Sequence, residues 1–352
     1  MYGAAERSGA AGSKPMKHIL LVCGGDGSEH AISQISAAYL RERLEQHRGH
    51  RVISVCLEQG RYTSAEGVEG WFAQQGHFVL GERSLAIAAA VPCFHGQPGE
   101  TGQFQSHLEL LGIPYIGCGA QASLCCFNKI TAKLYFRALD IPTAPFIMLS
   151  GSTASDLEQA HAAFARWGDV FVKAACQGSS VGCYHVAVEA ELEDAITAAL
   201  GYSQTVLIEQ TVHGRELEVA AYEYDGRLHI SAPGEILTPS GDSFYSYDQK
   251  YAASSETVTT LEPEGLDDTQ RARLQELARR AFIGLHLRDL SRIDFFLSAS
   301  GEILLNEINT FPGMTPISMF PKLLEHEGHD MTAFLVQCLS RAQAAGTGGP
   351  RF

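Results

Sequence analysis

The stretch at 291–318 constrains this chain most, because it places carboxylates on two consecutive predicted strands. Ile293, Phe295 and Leu297 recur at every second position, which is the period of a half-buried strand. A Ser-Ala-Ser-Gly turn separates this run from a second run of strand formers at 303–309. The stretch therefore predicts an antiparallel hairpin.

Counting outward from the middle of the turn places Asp294 opposite Glu307 and Arg292 opposite Asn309. Directly opposed residues of an antiparallel pair share a face, so these four side chains gather at the end away from the turn. Two carboxylates that lie close together repel unless a cation lies between them. Two acids and an amide oxygen beside an arginine suit a hard cation that bridges a phosphate, which predicts a Mg²⁺ site. The alternative is a surface hairpin with solvated charges, which would not need three oxygen ligands at one end.

Composition excludes several functional classes. At 352 residues the chain is long enough for two or three domains. Its formal net charge of -14 argues against a nucleic-acid-binding surface, and its nine cysteines, without a CxxC pair, indicate neither a zinc site nor a disulfide framework. No apolar run is long enough to span a bilayer, and residues 1–16 lack the apolar core of a signal peptide. We therefore expect a cytoplasmic protein with a disordered leader and with no nucleic-acid or membrane partner.

Residues 17–117 alternate predicted strands and helices around two glycine-rich loops, as an α/β layer does. The first loop, at 24–28, lies between a buried strand and a helix, but it lacks the third glycine of a dinucleotide-binding loop. Glu29 lies in the first turn of that helix, where the helix dipole alone also favours an acid. The second loop follows His95, and the stretch 58–84 shows no clear period.

The middle of the chain carries lysines in places that suit phosphate binding. Residues 120–139 predict one helix with Lys129 and Lys133 in its middle, although a solvated helix face would explain either lysine. Lys173 lies in a strand that leads into the small-residue loop 176–182, whose backbone N–H groups can close over phosphates. That loop is not a P-loop, because it lacks GKS or GKT and because a strand follows it.

The stretch 238–257 is polar, irregular and long for a loop inside a compact domain. Loops of this kind are commonly lids or binding loops. Lys250 and Tyr251 are among its few large side chains. We expect it to close over the site and exclude water.

Eight motifs in this order resemble those of the D-alanine–D-alanine ligases of the ATP-grasp superfamily: GGDGSEHAIS, HGQPGETG, LELLGIPYIGCG, FVKAACQGSSVG, LIEQTVHGREL, YDQKY, RIDFF and LNEINTFPGMTPIS. The resemblance spans about residues 17–340. It implies an α/β fold, α+β in the ATP-binding part, with three domains of the ATP-grasp type and an N-terminal doubly wound α/β domain. The implied segments are a disordered leader (1–16), an N-terminal α/β substrate domain (17–117), a central ATP-grasp domain (118–210), a C-terminal ATP-grasp domain (211–341) and a flexible tail (342–352).

The resemblance also implies a reaction and a set of site residues. ATP phosphorylates the carboxylate of one D-alanine, and the amine of a second D-alanine attacks the acyl phosphate, giving D-alanyl-D-alanine for peptidoglycan precursors. The residues implied to bind the phosphates are Lys129, Lys173 and Lys250. Those implied to bind the adenine and ribose side are Glu209 and Glu216. Two Mg²⁺ or Mn²⁺ ions are implied to be held by Asp294, Glu307 and Asn309. Glu29, linked to Ser179 and Tyr251, is expected to bind the ammonium of the first D-alanine. Arg292 and the N–H of Gly313 are expected to stabilise the transferring phosphoryl group and the oxyanion. His95 and Ser318 are expected to contact the substrates.

Three positions depart from the family pattern without touching the metal or phosphate set. Ala174 stands where a proline is usual, Thr101 replaces an acid of the second glycine-rich loop, and Ala31 replaces an acid after the Glu-His pair. One alternative is a related ligase that uses another D-amino acid or a D-hydroxy acid, such as D-serine or D-lactate, or that serves a specialised natural product. Another is a nucleotide-binding regulator without catalysis. The expected partners are ATP and D-alanine, and the expected assembly is a homodimer.

Overall fold

The computed structural model describes residues 16–237 and 258–346. The predicted loop at 238–257, with Lys250 and Tyr251, lies outside these residues. Within the two ranges the helices are α1 (His30–Glu45), α2 (Gln103–Leu110), α3 (Ala120–Phe127), α4 (Lys129–Ala138), α5 (Ala154–Trp167), a 3₁₀ turn (Glu189–Glu191), α6 (Leu192–Leu200), α7 (Asp268–Gly284), α8 (Met319–His326) and α9 (Met331–Gly346). The strands are β1 (Lys17–Gly24), β2 (His50–Glu58), β3 (Arg61–Thr63), β4 (Glu69–Phe72), β5 (His77–Leu80), β6 (Arg83–Pro92), β7 (Phe146–Leu149), β8 (Val170–Ala174), β9 (Cys183–Val186), β10 (Val206–Gln210), β11 (Gly214–Tyr224), β12 (Arg227–Ile230), β13 (Gly234–Leu237), β14 (Val258–Thr260), β15 (Leu290–Ser298) and β16 (Ile303–Asn309).

The first sheet is built on β1, which pairs in parallel with β2 and with β6. Its side chains alternate between two cores. Ile19 and Leu21 belong to the core that α1 shares with the C-terminal helices, whereas Leu20 and Val22 belong to the core that contains Phe104 of α2. A strand covered on both faces explains why β1 is continuously apolar in sequence.

Residues 58–84, which showed no period in the sequence, contain the antiparallel strands β3, β4 and β5. These strands continue the sheet from β2 round to β6, so that six strands close into a barrel. Tyr62, Phe72 and Phe78 meet edge to face, with ring centroids 5.1 to 5.9 Å apart. Because β3 has three residues and β4 and β5 have four each, no alternation could be recognised along them.

The second sheet has the order β7-β10-β8-β9, with antiparallel neighbours. Val172, Val206 and Ile208 face a core that α5 and α6 cover. Lys173 and Glu209 lie on the opposite face, on the neighbouring strands β8 and β10. Strand alternation thus gives one face to the core and leaves the other for charged groups.

The third sheet, β14-β13-β11-β15-β16 with β12 paired to β11, contains the predicted hairpin as β15 and β16. Asp294 lies opposite Glu307, as predicted, and the arginine–asparagine pair beyond them is confirmed as well. Nearer the turn the simple count is wrong by one residue, since Phe295 pairs with Leu305 and not with Asn306. A β-bulge beside Asp294 absorbs the extra residue and restores the predicted register at the far end.

The single helix predicted at 120–139 is two helices, because Asn128 ends α3 and begins α4. The backbone of Asn128 is extended, with φ -81° and ψ 105°. Its side-chain oxygen accepts hydrogen bonds from the N–H groups of Ile130 and Thr131 at 3.1 and 3.0 Å, which makes it an N-cap. The side chain of Lys133 on α4 is only 2% exposed, so a solvated helix face does not explain this lysine.

The C-terminal part of the described chain forms two helices, α8 and α9, and Gly328 with φ 82° lies between them. The second continues to Gly346, beyond the start of the predicted tail. Phe320 and Phe334 belong to the same core as Leu21, so these helices close the N-terminal sheet. No helix within 16–237 and 258–346 combines the length and hydrophobicity that crossing a membrane requires.

We predict that Asn128→Ala lowers the free energy of unfolding by about 1 kcal/mol, because two backbone N–H groups of α4 lose their acceptor. Asn128→Asp keeps an acceptor oxygen and should retain most of the stability, so it is the matched control. Urea unfolding followed by circular dichroism measures the difference. Equal midpoints for the alanine variant and the parent would show that the cap contributes nothing.

Candidate active site

The second and third sheets, the start of α1 and the segment after β6 surround a cleft of about 790 Å³. All the predicted site residues of the described ranges line it: Glu29, His95, Lys129, Lys173, Ser179, Glu209, Glu216, Arg292, Asp294, Glu307, Asn309, Gly313 and Ser318. Lys250 and Tyr251 lie outside those ranges. Motifs that are far apart along the chain thus meet at one concave surface.

Arg292 and Asp294 form a two-pronged ion pair on β15, with Nε–Oδ1 and Nη2–Oδ2 distances of 2.8 Å each. Asn309 donates from its amide nitrogen to Asp294 Oδ2 at 2.9 Å, and a carboxylate oxygen of Glu218 on β11 lies 3.2 Å from Arg292 Nε. Burial would lower the pKa of Arg292, but Asp294 and Glu218 outweigh burial and hold this pKa well above its ordinary value. The guanidinium therefore stays charged inside the cleft.

Two lysines approach this acidic face from other elements. Lys129, at the start of α4, has its Nζ 3.7 Å from Glu307 Oε2 and donates to the backbone oxygen of Gln177 at 2.7 Å. Lys173 on β8 donates to Glu209 Oε2 at 2.6 Å. Burial would lower the pKa of Lys173, but Glu209 outweighs burial and raises it. Ammonium groups held in this way are suited to binding phosphate oxygens.

The oxygen-bearing side chains of the hairpin fit a hard divalent cation. Asp294 and Glu307 offer carboxylate oxygens and Asn309 an amide oxygen, all on one face of β15 and β16. Such ligands suit Mg²⁺ or Mn²⁺. Among the residues that the structure describes, no group of three His, Cys, Asp or Glu could hold a metal by itself. The remaining ligands would therefore have to be phosphate oxygens and water.

Loops of the first and second sheets meet at Glu29, which precedes α1 and is 9% exposed. The hydroxyl of Ser179 donates to the Glu29 carboxylate and so ties the loop 176–182 to the first glycine-rich loop. Ser179 and Ser180 have backbone φ angles of 50° and 59°, which residues other than glycine rarely adopt. These contacts hold the loop in a strained conformation of the kind that is maintained at functional sites.

His95 is buried on the same side of the cleft. Its Nδ1 lies 3.3 Å from the backbone oxygen of Phe311, and its Nε2 lies 2.8 Å from Ser36 Oγ. Burial lowers the pKa of His95, so the ring is neutral at pH 7. Because a carbonyl oxygen can only accept, Nδ1 carries the proton and Nε2 accepts from the serine hydroxyl.

Gly313 and Ser318 lie in the segment after β16. Ser318 Oγ accepts from the N–H of Thr315 at 3.1 Å and lies 2.7 Å from Thr315 Oγ1. A Cβ at position 313 would lie 2.8 Å from Ser318 Oγ, so any other residue here would force the serine hydroxyl to shift. The segment therefore brings backbone and hydroxyl groups together at the wall of the cleft.

Glu218 and Lys133 were not predicted as site residues. Glu218 is two positions after Glu216 on β11 and pairs in register with Asp294, so strand alternation in the sequence could have found it. Lys133 is one helical turn after Lys129, and its ammonium reaches Glu209. No local signal in the sequence distinguishes it from a lysine on a solvated face.

Glu100, which belongs to the motif HGQPGETG, also lines the cleft. One of its carboxyl oxygens, Oε2, accepts from the N–H of Gly96 at 2.8 Å. Burial, followed by the nearby charge of Glu29, raises the pKa of Glu100 to about 8. This carboxyl therefore holds a proton at neutral pH.

We predict that Glu100 makes the protein less stable as the pH rises through about 8. The group ionises near 4.5 when it is unperturbed, as in the unfolded chain, but only near 8 in the folded protein. Between these values the folded state alone holds the proton, so its stabilising contribution, complete below about 4.5, is lost as the pH passes about 8.

Glu100→Gln removes this titration. Melting temperatures of parent and variant are compared at mildly acidic and mildly alkaline pH, and the variant should lose less stability over that range. Parallel pH profiles for the two proteins would contradict the raised pKa.

Comparison with known proteins places the chain in a family. The family described as D-ala D-ala ligase N-terminus matches residues 18–118, and D-ala D-ala ligase C-terminus matches residues 135–340. A D-alanine--D-alanine ligase of Vibrio cholerae is 52% identical over 332 residues, which cover 92% of this chain and 96% of that relative.

Solved structures agree. The crystal structure of D-alanyl-alanine synthetase A from Vibrio cholerae matches with a TM-score of 0.90 at 50% identity, over 94% of this chain and 100% of that one. The VanG D-Ala:D-Ser ligase of Enterococcus faecalis matches with a TM-score of 0.81 at 25% identity, over 93% and 100%. These matches confirm the α/β fold of the ATP-grasp type. With both family segments matched in order and half of its residues shared with a full-length relative, the chain belongs to the D-alanine–D-alanine ligase family of enzymes.

Proposed function

We propose that the protein uses ATP to join two D-alanines into D-alanyl-D-alanine through an acyl phosphate. The observation that carries the proposal is the 3.7 Å approach of Lys129 to Glu307. Lys129 is suited to binding phosphate oxygens, and Glu307 belongs to the carboxylate face suited to a metal ion. The cleft therefore contains both the cationic group and the metal ligands that binding a triphosphate requires. The names of relatives that share about half of their residues with this chain supply the substrate.

A carboxylate is a poor acylating agent, so the first step attaches a leaving group to it by phosphorylation. Lys129, Lys173 and Lys250 bind the phosphates of ATP and hold the terminal phosphoryl group against the carboxylate of the first D-alanine. That carboxylate oxygen attacks the terminal phosphorus, and ADP leaves. Arg292, oriented by its two hydrogen bonds to Asp294, lowers the energy of the negative charge on the group in transfer.

Asp294, Glu307 and Asn309 would hold two Mg²⁺ or Mn²⁺ ions beside these phosphates. When bound, the ions supply positive charge that neutralises the triphosphate and the departing ADP. Glu209 and Glu216 are assigned to the adenine and ribose side of the nucleotide. Arg292 keeps the Asp294 carboxylate in a fixed orientation for this role.

In the second step the amine of the second D-alanine attacks the acyl carbon, and inorganic phosphate leaves. Glu29, with Ser179 and Tyr251, holds the ammonium of the first D-alanine. Ser318 contacts the carboxylate of the second, and the N–H of Gly313 donates to the oxygen that becomes negative. The bonded pair of Ser179 and Glu29 supports this assignment, because it places a fixed carboxylate at the cleft wall.

His95 has a neutral ring that adds no positive charge near the ammonium groups of the substrates. We further place the reaction in the cytoplasm, in the synthesis of peptidoglycan precursors, with the protein acting as a homodimer. These three assignments rest on the family resemblance.

The proposal is tested by incubating the purified protein with ATP, Mg²⁺ and D-alanine. Phosphate should be released in proportion to D-alanyl-D-alanine, and release should stop when D-alanine is omitted. In competition with D-lactate or D-serine, D-alanyl-D-alanine should remain the main product. Mainly D-alanyl-D-lactate or D-alanyl-D-serine would replace the substrate assignment, and nucleotide binding without phosphate release would favour a regulator.

We predict that Glu307→Gln loses more than about 100-fold in turnover, since even residues that only orient metal ligands are worth about 10- to 100-fold. The neutral amide leaves bound cations under-neutralised beside the nucleotide. Phosphate release at saturating Mg²⁺ is the measurement. Glu302→Gln on the same hairpin is the matched control, because Glu302 is exposed near the turn and outside the cleft. Turnover of the Glu307 variant within a few-fold of the parent would remove this residue from the site.

A further inference from the structure

Lys133 is a charged residue that the proposed reaction does not use. It lies on α4, its side chain is 2% exposed, and it is not part of the cleft lining. Its Nζ donates to Glu209 Oε1 and to Thr143 Oγ1, the latter at 2.6 Å. A buried ammonium is retained only where its partners compensate for the water it has lost. The burial of Lys133 therefore calls for a functional or structural explanation, which a solvated lysine would not require.

Glu209 divides its two carboxylate oxygens between two lysines. Oε1 accepts from Lys133, and Oε2 accepts from Lys173 at 2.6 Å. Burial alone would raise the pKa of Glu209, but the two lysines outweigh burial and lower it. The carboxylate is therefore ionised, and its position relative to Lys173 depends on a partner outside the cleft.

Lys133 also connects the second sheet to the third. Thr143, which accepts from Lys133, donates its own hydroxyl proton to the backbone oxygen of Leu305 on β16 at 2.9 Å. The N–H of Leu305 donates in turn to the backbone oxygen of Pro142 at 2.8 Å. These bonds fix the segment beside Lys133 to the strand that carries Glu307 two residues later. One chain of contacts thus runs from Lys173 to the metal-ligand strand.

We propose that Lys133 is a positioning residue for the nucleotide, acting through Glu209. It holds one oxygen of Glu209 so that the other aligns the ammonium of Lys173 with the phosphates of ATP. Through Thr143 it keeps this alignment in register with β16. The inference rests on the proposed function only in taking ATP as the ligand, and Lys133 itself touches no substrate.

The direct test is Lys133→Met, which keeps most of the side-chain volume and removes the charge. The dissociation constant of MgATP is measured by calorimetry without D-alanine, and KM is measured for ATP and for D-alanine. The dissociation constant and KM for ATP should rise about tenfold or more, as for other residues that orient a ligand-binding group. KM for D-alanine should change less than about twofold, a separation that a general loss of structure would not produce.

Arg137→Met is the matched control. Arg137 lies one turn later on α4 and stacks over the ring of Phe146 at 3.9 Å, which Lys133 also approaches at 5.4 Å. It has no hydrogen bond to Glu209, so its variant should bind ATP as the parent does. An equal loss in both variants would mean that the positive charge of α4 matters generally, which would overturn the specific role of Lys133.

A double-mutant cycle with Glu209→Gln tests the route of action. If Lys133 acts through Glu209, Lys133→Met should cause no further loss of ATP affinity in the Glu209→Gln background. A further loss of the same size would overturn the proposal. If Lys133→Met alone does not fold, Lys133→Gln, which removes the charge but can still donate a hydrogen bond, takes its place as the single variant in the cycle.

The two proposals fail in different ways. A parent protein that binds ATP but forms no dipeptide would overturn the proposed function and leave the binding cycle valid. An active parent whose Lys133→Met variant binds ATP with parental affinity would overturn the inference about Lys133 alone. A parent that binds no ATP would overturn both.

Discussion

Charge compensation inside a buried cleft is the constraint on which the rest of this structure depends. Asp294 and Glu307 lie directly opposite each other on β15 and β16, and carboxylates so placed are stable only beside cations. Arg292 supplies one cation from the same strand, and Lys129 supplies another from the start of α4. Packing α4 against the hairpin therefore completes the electrostatics of the cleft and forms one of its walls at the same time.

Hydrogen bonds between distant segments hold the N-terminal part against this hairpin. His95 contacts the backbone oxygen of Phe311 at 3.3 Å. Asp289, which is 1% exposed, accepts from the N–H of Gly117 and from Nη2 of Arg341, both at 2.8 Å. The loop after the first sheet and the last helix thus meet at one carboxylate beside β15. This arrangement lets Glu29 and the hairpin share a cleft although their motifs lie at opposite ends of the chain.

The parts of the site that could be predicted are those governed by short-range patterns. Strand alternation and a recognisable turn placed Asp294 opposite Glu307, and the structure has this pair. Counting outward from the turn succeeded because two one-residue deviations cancel. The pairing next to the turn is shifted by one residue from the one assumed, and the bulge at Asn306 shifts it back. The break at Asn128 was missed, since the residues on either side of it form helices and only the cap geometry separates them.

The sequence by itself determined the family, the hairpin with its carboxylates, and the motif residues that meet in the cleft within the described ranges, but not Glu218, which also lines it. These follow from motifs and from periods of a few residues, which survive any arrangement of the larger pieces. Only the tertiary structure decided which charges are partnered. Lys133 and Glu209 are 76 positions apart and meet because α4 packs on the open face of the second sheet. The closure of the first sheet by β3, β4 and β5 was likewise decided by pairing between strands too short to carry a pattern of their own.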